Sequence, residues 1–167
     1  MTEKVFLVAF SDIHDNWDEF YEKYWMILNS SLVTYLVFCG DYQNLYGDDN
    51  CKFTKFINWL SKFPAKYKVM VWGNHDEFCW KSPDSAISLA KEFGVTILNH
   101  QSARIGDLQF FGTPGPYMYT NRCKKYQETF RDKFLEPFPK DVDVFLSHCP
   151  PNGIRDFNPK LMENSGS

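Results

Sequence analysis

Val5-Phe6-Leu7-Val8-Ala9-Phe10-Ser11-Asp12-Ile13-His14 holds the first decision about this fold. Six apolar residues run without interruption and stop at Ser11-Asp12, the pattern of a buried strand. The next segment changes period: Phe20, Tyr21, Tyr24, Trp25 and Leu28 fall at helical spacing within Trp17 to Leu28. Leu36-Val37-Phe38-Cys39 is a second buried strand, ending at Gly40-Asp41. Phe53, Phe56, Ile57 and Leu60 form another helical stripe, closed by Pro64. Val69-Met70-Val71-Trp72 is a third strand, ending at Gly73.

Further along, Ser82 suits an N-cap with Pro83 in the first turn, and that helix runs to a C-cap at Gly94. Val95 to Leu98 and Ala103 to Phe111 read as strands, with Gly106-Asp107 as a hairpin turn. Tyr126 to Phe134 is expected to be helical. Val142 to Leu146 is the last strand, ending at Ser147-His148. Repeated strand–helix units predict an α/β fold with parallel strands. The 167 residues suit one compact domain over 1–167, long enough for a sizeable core.

Polar residues gather just beyond the carboxyl ends of four strands: Asp12-Ile13-His14, Gly40-Asp41, Gly73-Asn74-His75-Asp76 and Ser147-His148. In open α/β sheets that edge is where ligands bind. Each element alone is bland, since Asp-x-His and Gly-Asp serve turns and caps, and a lone histidine is usually structural. Their joint occurrence in one order at successive strand ends is not bland. Carboxylates and imidazoles are the expected ligands of Mn, Fe, Zn or Ni. One carboxylate such as Asp41 can bridge two ions ~3.5–4 Å apart, and the hydroxide between them is a nucleophile at neutral pH.

The charge balance narrows the partners. A net charge of −3 and a pI near 5.8 do not favour capture of nucleic acid or an anionic membrane. A small anionic substrate would then meet its positive charge in bound metal. The six-residue apolar opening is too short for a membrane span or a signal-peptide core. Five cysteines without Cys-x-x-Cys spacing argue against a disulfide framework and for a reducing cytoplasm.

The series D-I-H, G-D, G-N-H-D and S-H, from Asp12 to His148, resembles the calcineurin-like metallophosphoesterases in order, residue type and spacing. Gly112 to Tyr117 and His148 to Asp156 look like the small single-domain branch that includes cyclic-nucleotide phosphodiesterases. The resemblance implies a β-sandwich flanked by helices and a phosphodiester-hydrolysing site holding two divalent metal ions. It implies that Asp12 and His14 bind the first ion, Asp41 bridges, and Asn74 and His148 bind the second. It sets His75 beside the leaving oxygen and Asp76 to orient the His75 ring, against the alternative that Asp76 is a helix N-cap or turn residue. Asn16 and Arg155 are candidate phosphate contacts, and His100, outside every motif, is expected to be structural. The implied substrate is a small phosphodiester or phosphomonoester.

One departure stands out. The family pattern ends in a Gly-x-His motif, but the four histidines here are His14, His75, His100 and His148. The expectation is a fold lacking the C-terminal strands, each ion keeping three protein ligands plus water. Apolar surface and a sheet edge would then be exposed, suggesting a homo-oligomer or a completing partner chain. A strictly monomeric mass by light scattering would refute self-association. Two rival functions carry their own tests: a non-catalytic scaffold would capture a partner without metal, and a nuclease would cut single-stranded oligonucleotides faster than small diesters.

Overall fold

The computed structural model describes residues 4–44, 50–115 and 139–150, together with two short strands at Phe157–Asn158 and Glu163–Asn164. A four-stranded parallel sheet comes first: β1 (Phe6–Phe10), β2 (Val33–Phe38), β3 (Tyr67–Met70) and β4 (Val95–Ile97), in spatial order β1-β2-β3-β4. The connections hold α1 (Trp17–Leu28), α2 (Asn50–Ser61), α3 (Glu77–Lys81) and α4 (Pro83–Glu92). A second sheet of three strands follows, β5 (Gln101–Ile105), β6 (Leu108–Thr113) and β7 (Val144–Ser147), in which β5 and β6 are antiparallel and β6 and β7 parallel. The late pair β8 (Phe157–Asn158) and β9 (Glu163–Asn164) is antiparallel.

The period-two alternation of β2 shows how the layers stack. Tyr35 and Val37 point into an apolar cluster with Val69 and Val71 of the first sheet and Ile105, Phe110 and Leu146 of the second. Leu36 and Phe38 point the other way, into a larger cluster with Leu28 of α1, Phe53, Phe56, Ile57 and Leu60 of α2, and Ala86 and Ala90 of α4. The parallel sheet is therefore covered by helices on one face and by the mixed sheet on the other. The four α2 residues picked out by spacing are all fully buried. Each such side chain contributes about 1.5–3 kcal/mol of burial. Tyr42 stacks on Phe56 at 4.9 Å, so this aromatic layer reaches up to the exit of β2.

The structure redraws several boundaries. β2 starts three residues before the expected run, and β3 lies at Tyr67–Met70, while Val71 and Trp72 continue the core past its end, Val71 N still donating to Phe38 O at 3.0 Å. Ala103 to Phe111 is split by the Gly106-Asp107 turn into β5 and β6, with Ile105 opposite Leu108. The helix α3 had no signal of its own in the sequence, since five residues are too few for a 3.6-residue period to show. Ser82 occupies the N-cap of α4 with Pro83 in the first turn, and Gly94 follows the C-cap at φ +72°. The expected helix Tyr126 to Phe134 lies outside the described residues.

Helix α1 departs from its stripe. Leu28 is its one buried residue and Phe20 stacks on Phe10 at 4.9 Å, but Trp25, Met26 and Ile27 are exposed. β1 forms the edge of its sheet, and its Phe6 and Leu7 are exposed. No described helix is long and apolar enough to cross a membrane.

Candidate metal centre

Because β1, β2 and β3 are parallel and adjacent, their carboxyl ends emerge side by side. The loops then continue the pairing past the ladder. Asp12 N donates to Gly40 O (2.9 Å), His14 N to Asp41 O (3.2 Å) and Asp15 N to Tyr42 O (3.0 Å). Asp12, His14, Asp15 and Asp41 all adopt positive φ, as does His100. This left-handed backbone costs a non-glycine residue on the order of 1–3 kcal/mol, and it persists where surrounding structure fixes it. Here the fixing agent is the ladder of loop hydrogen bonds.

Close approach demands glycine at two positions. A Cβ on Gly40, itself at φ +100°, would meet Gly73 N at 2.5 Å and His148 Nδ1 at 2.8 Å. A Cβ on Gly73 would run into Asp41 Oδ1. The loops are thus packed backbone against backbone beneath the polar side chains.

Asp41 lies at the centre, with its side chain 3% exposed. Its Oδ1 accepts the His75 amide at 2.9 Å. Its Oδ2 faces three imidazole Nε2 atoms, from His148 at 3.6 Å, His14 at 3.8 Å and His75 at 4.0 Å. These separations are too long for hydrogen bonds and suit groups that share a cation. All three rings are anchored from behind by carbonyls of the β2 exit. His14 Nδ1 donates to Gln43 O (3.2 Å), His75 Nδ1 to Asn44 O (3.0 Å) and His148 Nδ1 to Cys39 O (2.8 Å). A carbonyl can only accept, so each bond places the ring proton on Nδ1 and turns the Nε2 lone pair toward the centre.

Two ligand groups result, His14–Asp41–His75 and Asp12–Asp41–His148, with the ligand atoms of each group within 4.8 Å of one another. Asp41 belongs to both. Asn74 joins the second, its Oδ1 lying 3.0 Å from His148 Nε2. Asp12, expected beside His14, has Oδ1 at 3.7 Å from His14 Nε2, so it stands within reach of either group. The donor set of carboxylates, imidazoles and an amide oxygen fits borderline divalent cations.

Of the two roles weighed for Asp76, the structure shows the helix-start and turn role and not the orienting of the His75 ring. Its carboxylate is fully buried and accepts three backbone amides, Gly73 (2.7 Å), Asp41 (2.8 Å) and Tyr42 (3.0 Å). Burial, and then the neighbouring Asp41 charge, lift this carboxyl to about 7 against the pull of those amides. It sits at the N-cap position of α3 but makes no side-chain capping bond there. The His75 ring takes its alignment from the Asn44 carbonyl, because the Asp76 oxygens point instead into the crevice between the β2 and β3 exits.

Asn16 stands at the N-cap of α1 with an exposed side chain, and Arg155 lies outside the described residues. His100, set apart from the constellation, has its Nδ1 3.0 Å from Thr113 Oγ1. Gln43 was not singled out by sequence. It is 1% exposed, and its Nε2 donates to His75 O at 2.7 Å. No motif marks it; the only clue is a polar residue two positions after Asp41. Cys39 and Cys149 flank the centre, and burial, with the Asp12 charge at Cys39 and the Asp41 and Asp12 charges at Cys149, raises both thiols to about 11. Neither is a thiolate nucleophile near neutral pH.

This arrangement of strand-end ligands agrees with what comparison finds. The sequence profile of the calcineurin-like phosphoesterases matches residues 7–165, and the chain belongs to that family. It is 30% identical over 138 residues to the UPF0046 protein K07C11.7 of Caenorhabditis elegans, covering 72% of this chain and 45% of that protein. Human metallophosphoesterase domain-containing protein 1 is 22% identical over 182 aligned positions, covering 95% of this chain and 52% of that one. The chain thus spans about half the length of these relatives. In three dimensions it resembles a phosphopantetheinyl hydrolase from Mycobacterium tuberculosis (TM-score 0.57, 14% identity, 88% of this chain and 69% of that one), a likeness of fold.

Proposed function

We propose that this chain is a metal-dependent phosphodiesterase whose two divalent ions, of Mn, Fe, Zn or Ni, are held by Asp12, His14, Asp41, Asn74 and His148. The observation that supports it most is the single oxygen Asp41 Oδ2 facing three outward-anchored imidazoles and shared by two ligand groups. When bound, such ions activate water and neutralise phosphate oxygens as charge develops. Asp41, nearly buried and held through Oδ1 by the His75 amide, would be the ligand common to both. His75, a quarter exposed, presents Nε2 toward the centre with Nδ1–H held on the Asn44 carbonyl, and once Nε2 also carries a proton it would give that proton to the leaving oxygen. Asp76 keeps the backbone of Asp41 and Gly73 together. Asn16 and Arg155 are proposed contacts of the phosphate.

The substrate is a small phosphoester. The mild acidity of the chain supports this over a nucleic-acid strand, which would call for a basic groove. The described cysteines Cys39, Cys51, Cys79 and Cys149 are free thiols, in accord with a reducing cytoplasm.

The test is hydrolysis of bis(p-nitrophenyl) phosphate and p-nitrophenyl phosphate with added Mn²⁺, comparing the parent with Asp41→Ala and His75→Ala. Hydrolysis of the diester by the parent, lost in both variants, is the expected result. A metal-loaded parent that turns over neither ester would overturn the proposal. A variant lacking His75 with undiminished turnover would remove that residue from the chemistry.

A further inference from the structure

Gln43 carries a buried amide where an apolar residue would pack without cost. A buried primary amide left unbonded costs about 1–3 kcal/mol, so its partners indicate what it is for. The residue meets both histidines of one ligand group, the ring of His14 and the main chain of His75. Its backbone carbonyl accepts the His14 Nδ1 proton at 3.2 Å, and its side-chain Nε2 donates to the His75 carbonyl at 2.7 Å. The two rings it serves lie edge to face with centroids 5.0 Å apart. The next residue, Asn44, accepts the His75 Nδ1 proton, and its own amide donates to Asp15 at 3.1 Å. His75 is therefore held at its main chain by the Gln43 side chain and at its ring by the Asn44 carbonyl, both from one dipeptide.

The consequence concerns angle rather than presence. His75 N is bonded to Asp41 Oδ1, so its backbone is already near the centre. What remains is the tilt of the peptide plane after His75, which sets how Nε2 meets Asp41 Oδ2 and any bound phosphoester. The His75 carbonyl accepts Gln43 Nε2 at 2.7 Å and the Glu77 amide at 2.9 Å, and the Gln43 bond is the one that ties that tilt to the β2 exit.

We propose that Gln43 is a positioning residue that aligns the His75 imidazole with the metal centre and couples it to His14, without itself touching ions or substrate. The kinetic consequence rests on the phosphoesterase reading; the alignment does not. Gln43→Met keeps an unbranched side chain of similar length and removes the amide donor. Gln43→Asn keeps the amide and withdraws it by one methylene, and it serves should the Met variant fold poorly. The readout is the imidazole ¹H–¹⁵N spectrum of each variant, beside its Mn²⁺ content and its kcat and KM for bis(p-nitrophenyl) phosphate.

The expected result is a displaced His75 Nδ1 signal with faster proton exchange, an unmoved His148 signal and unchanged Mn²⁺ content. Turnover should fall about tenfold in kcat with KM nearly constant, the loss of one net hydrogen bond to the transition-state geometry. His75 signals identical to the parent's in a folded variant would overturn the proposal. If the parent hydrolyses no ester, the phosphoesterase reading fails alone, and the imidazole spectra still decide the role of Gln43.

Discussion

In the parallel sheet, three neighbouring strand ends bring Asp12, His14, Asp41, Asn74 and His75 together on loops that hydrogen-bond to one another; in the mixed sheet, β7 brings a single ligand, His148, across the gap. The first contribution is built as a unit. The exit of β2 accepts amides from the β1 loop, gives its own amides to Asp76 of the β3 loop, and anchors three rings by carbonyls. The second is docked onto that unit, through the Cys39 carbonyl and through Leu146 in the core between the sheets. Losing part of the unit should therefore disturb every ligand, whereas losing the docked residue should disturb one ligand group.

Four substitutions would break or sharpen this contrast. Asp41→Ala removes the oxygen common to both groups, and metal content should fall to background with hydrolysis down about a thousandfold or more, the several kcal/mol that bound metal supplies. Mass spectrometry of dialysed protein, with a diester assay beside it, checks this; retained metal would mean that Asp41 is not the shared ligand. His148→Ala should behave differently. One ion is lost and one retained on His14 and Asp41, readable as a halved metal-to-protein ratio. A complete loss would place His148 within the unit after all.

Asp76→Asn sets an NH₂ group against one of three amide donors. It should lower stability by about 1–3 kcal/mol in denaturant unfolding, with the metal affinity weakened rather than abolished. An unchanged midpoint would show that the amides find other acceptors. Trp25→Ser, on the exposed flank of α1, should stay within about 0.5 kcal/mol of the parent and keep its full metal content. A large loss there would reveal a partner surface covering the flank.

Much of this layout was legible in the residue order. A run such as Val5 to Phe10 ending in Asp-x-His marks a strand and its chemical end together, and the same holds for Gly40-Asp41 and Gly73-Asn74-His75. Helix α2 was equally plain because its four apolar residues share one face and all are buried. Helix α1 was less so: its stripe of Phe20, Tyr21, Tyr24 and Trp25 has the right period, but most of that face lies beside an edge strand with little to cover it. Period shows which residues share a face, not whether a neighbour stands against it.

By itself the sequence determined the α/β class, the polar strand ends and the chemical types of the candidate ligands, because these follow from local period, residue chemistry and composition. Only the tertiary structure decided which candidate ligands stand together, that Asp76 holds three amides instead of the His75 ring, and that Gln43 links the His14 ring to the His75 main chain. Those are relations between loops some thirty residues apart in the chain, and they arise only where parallel strands end side by side and their backbones come into contact.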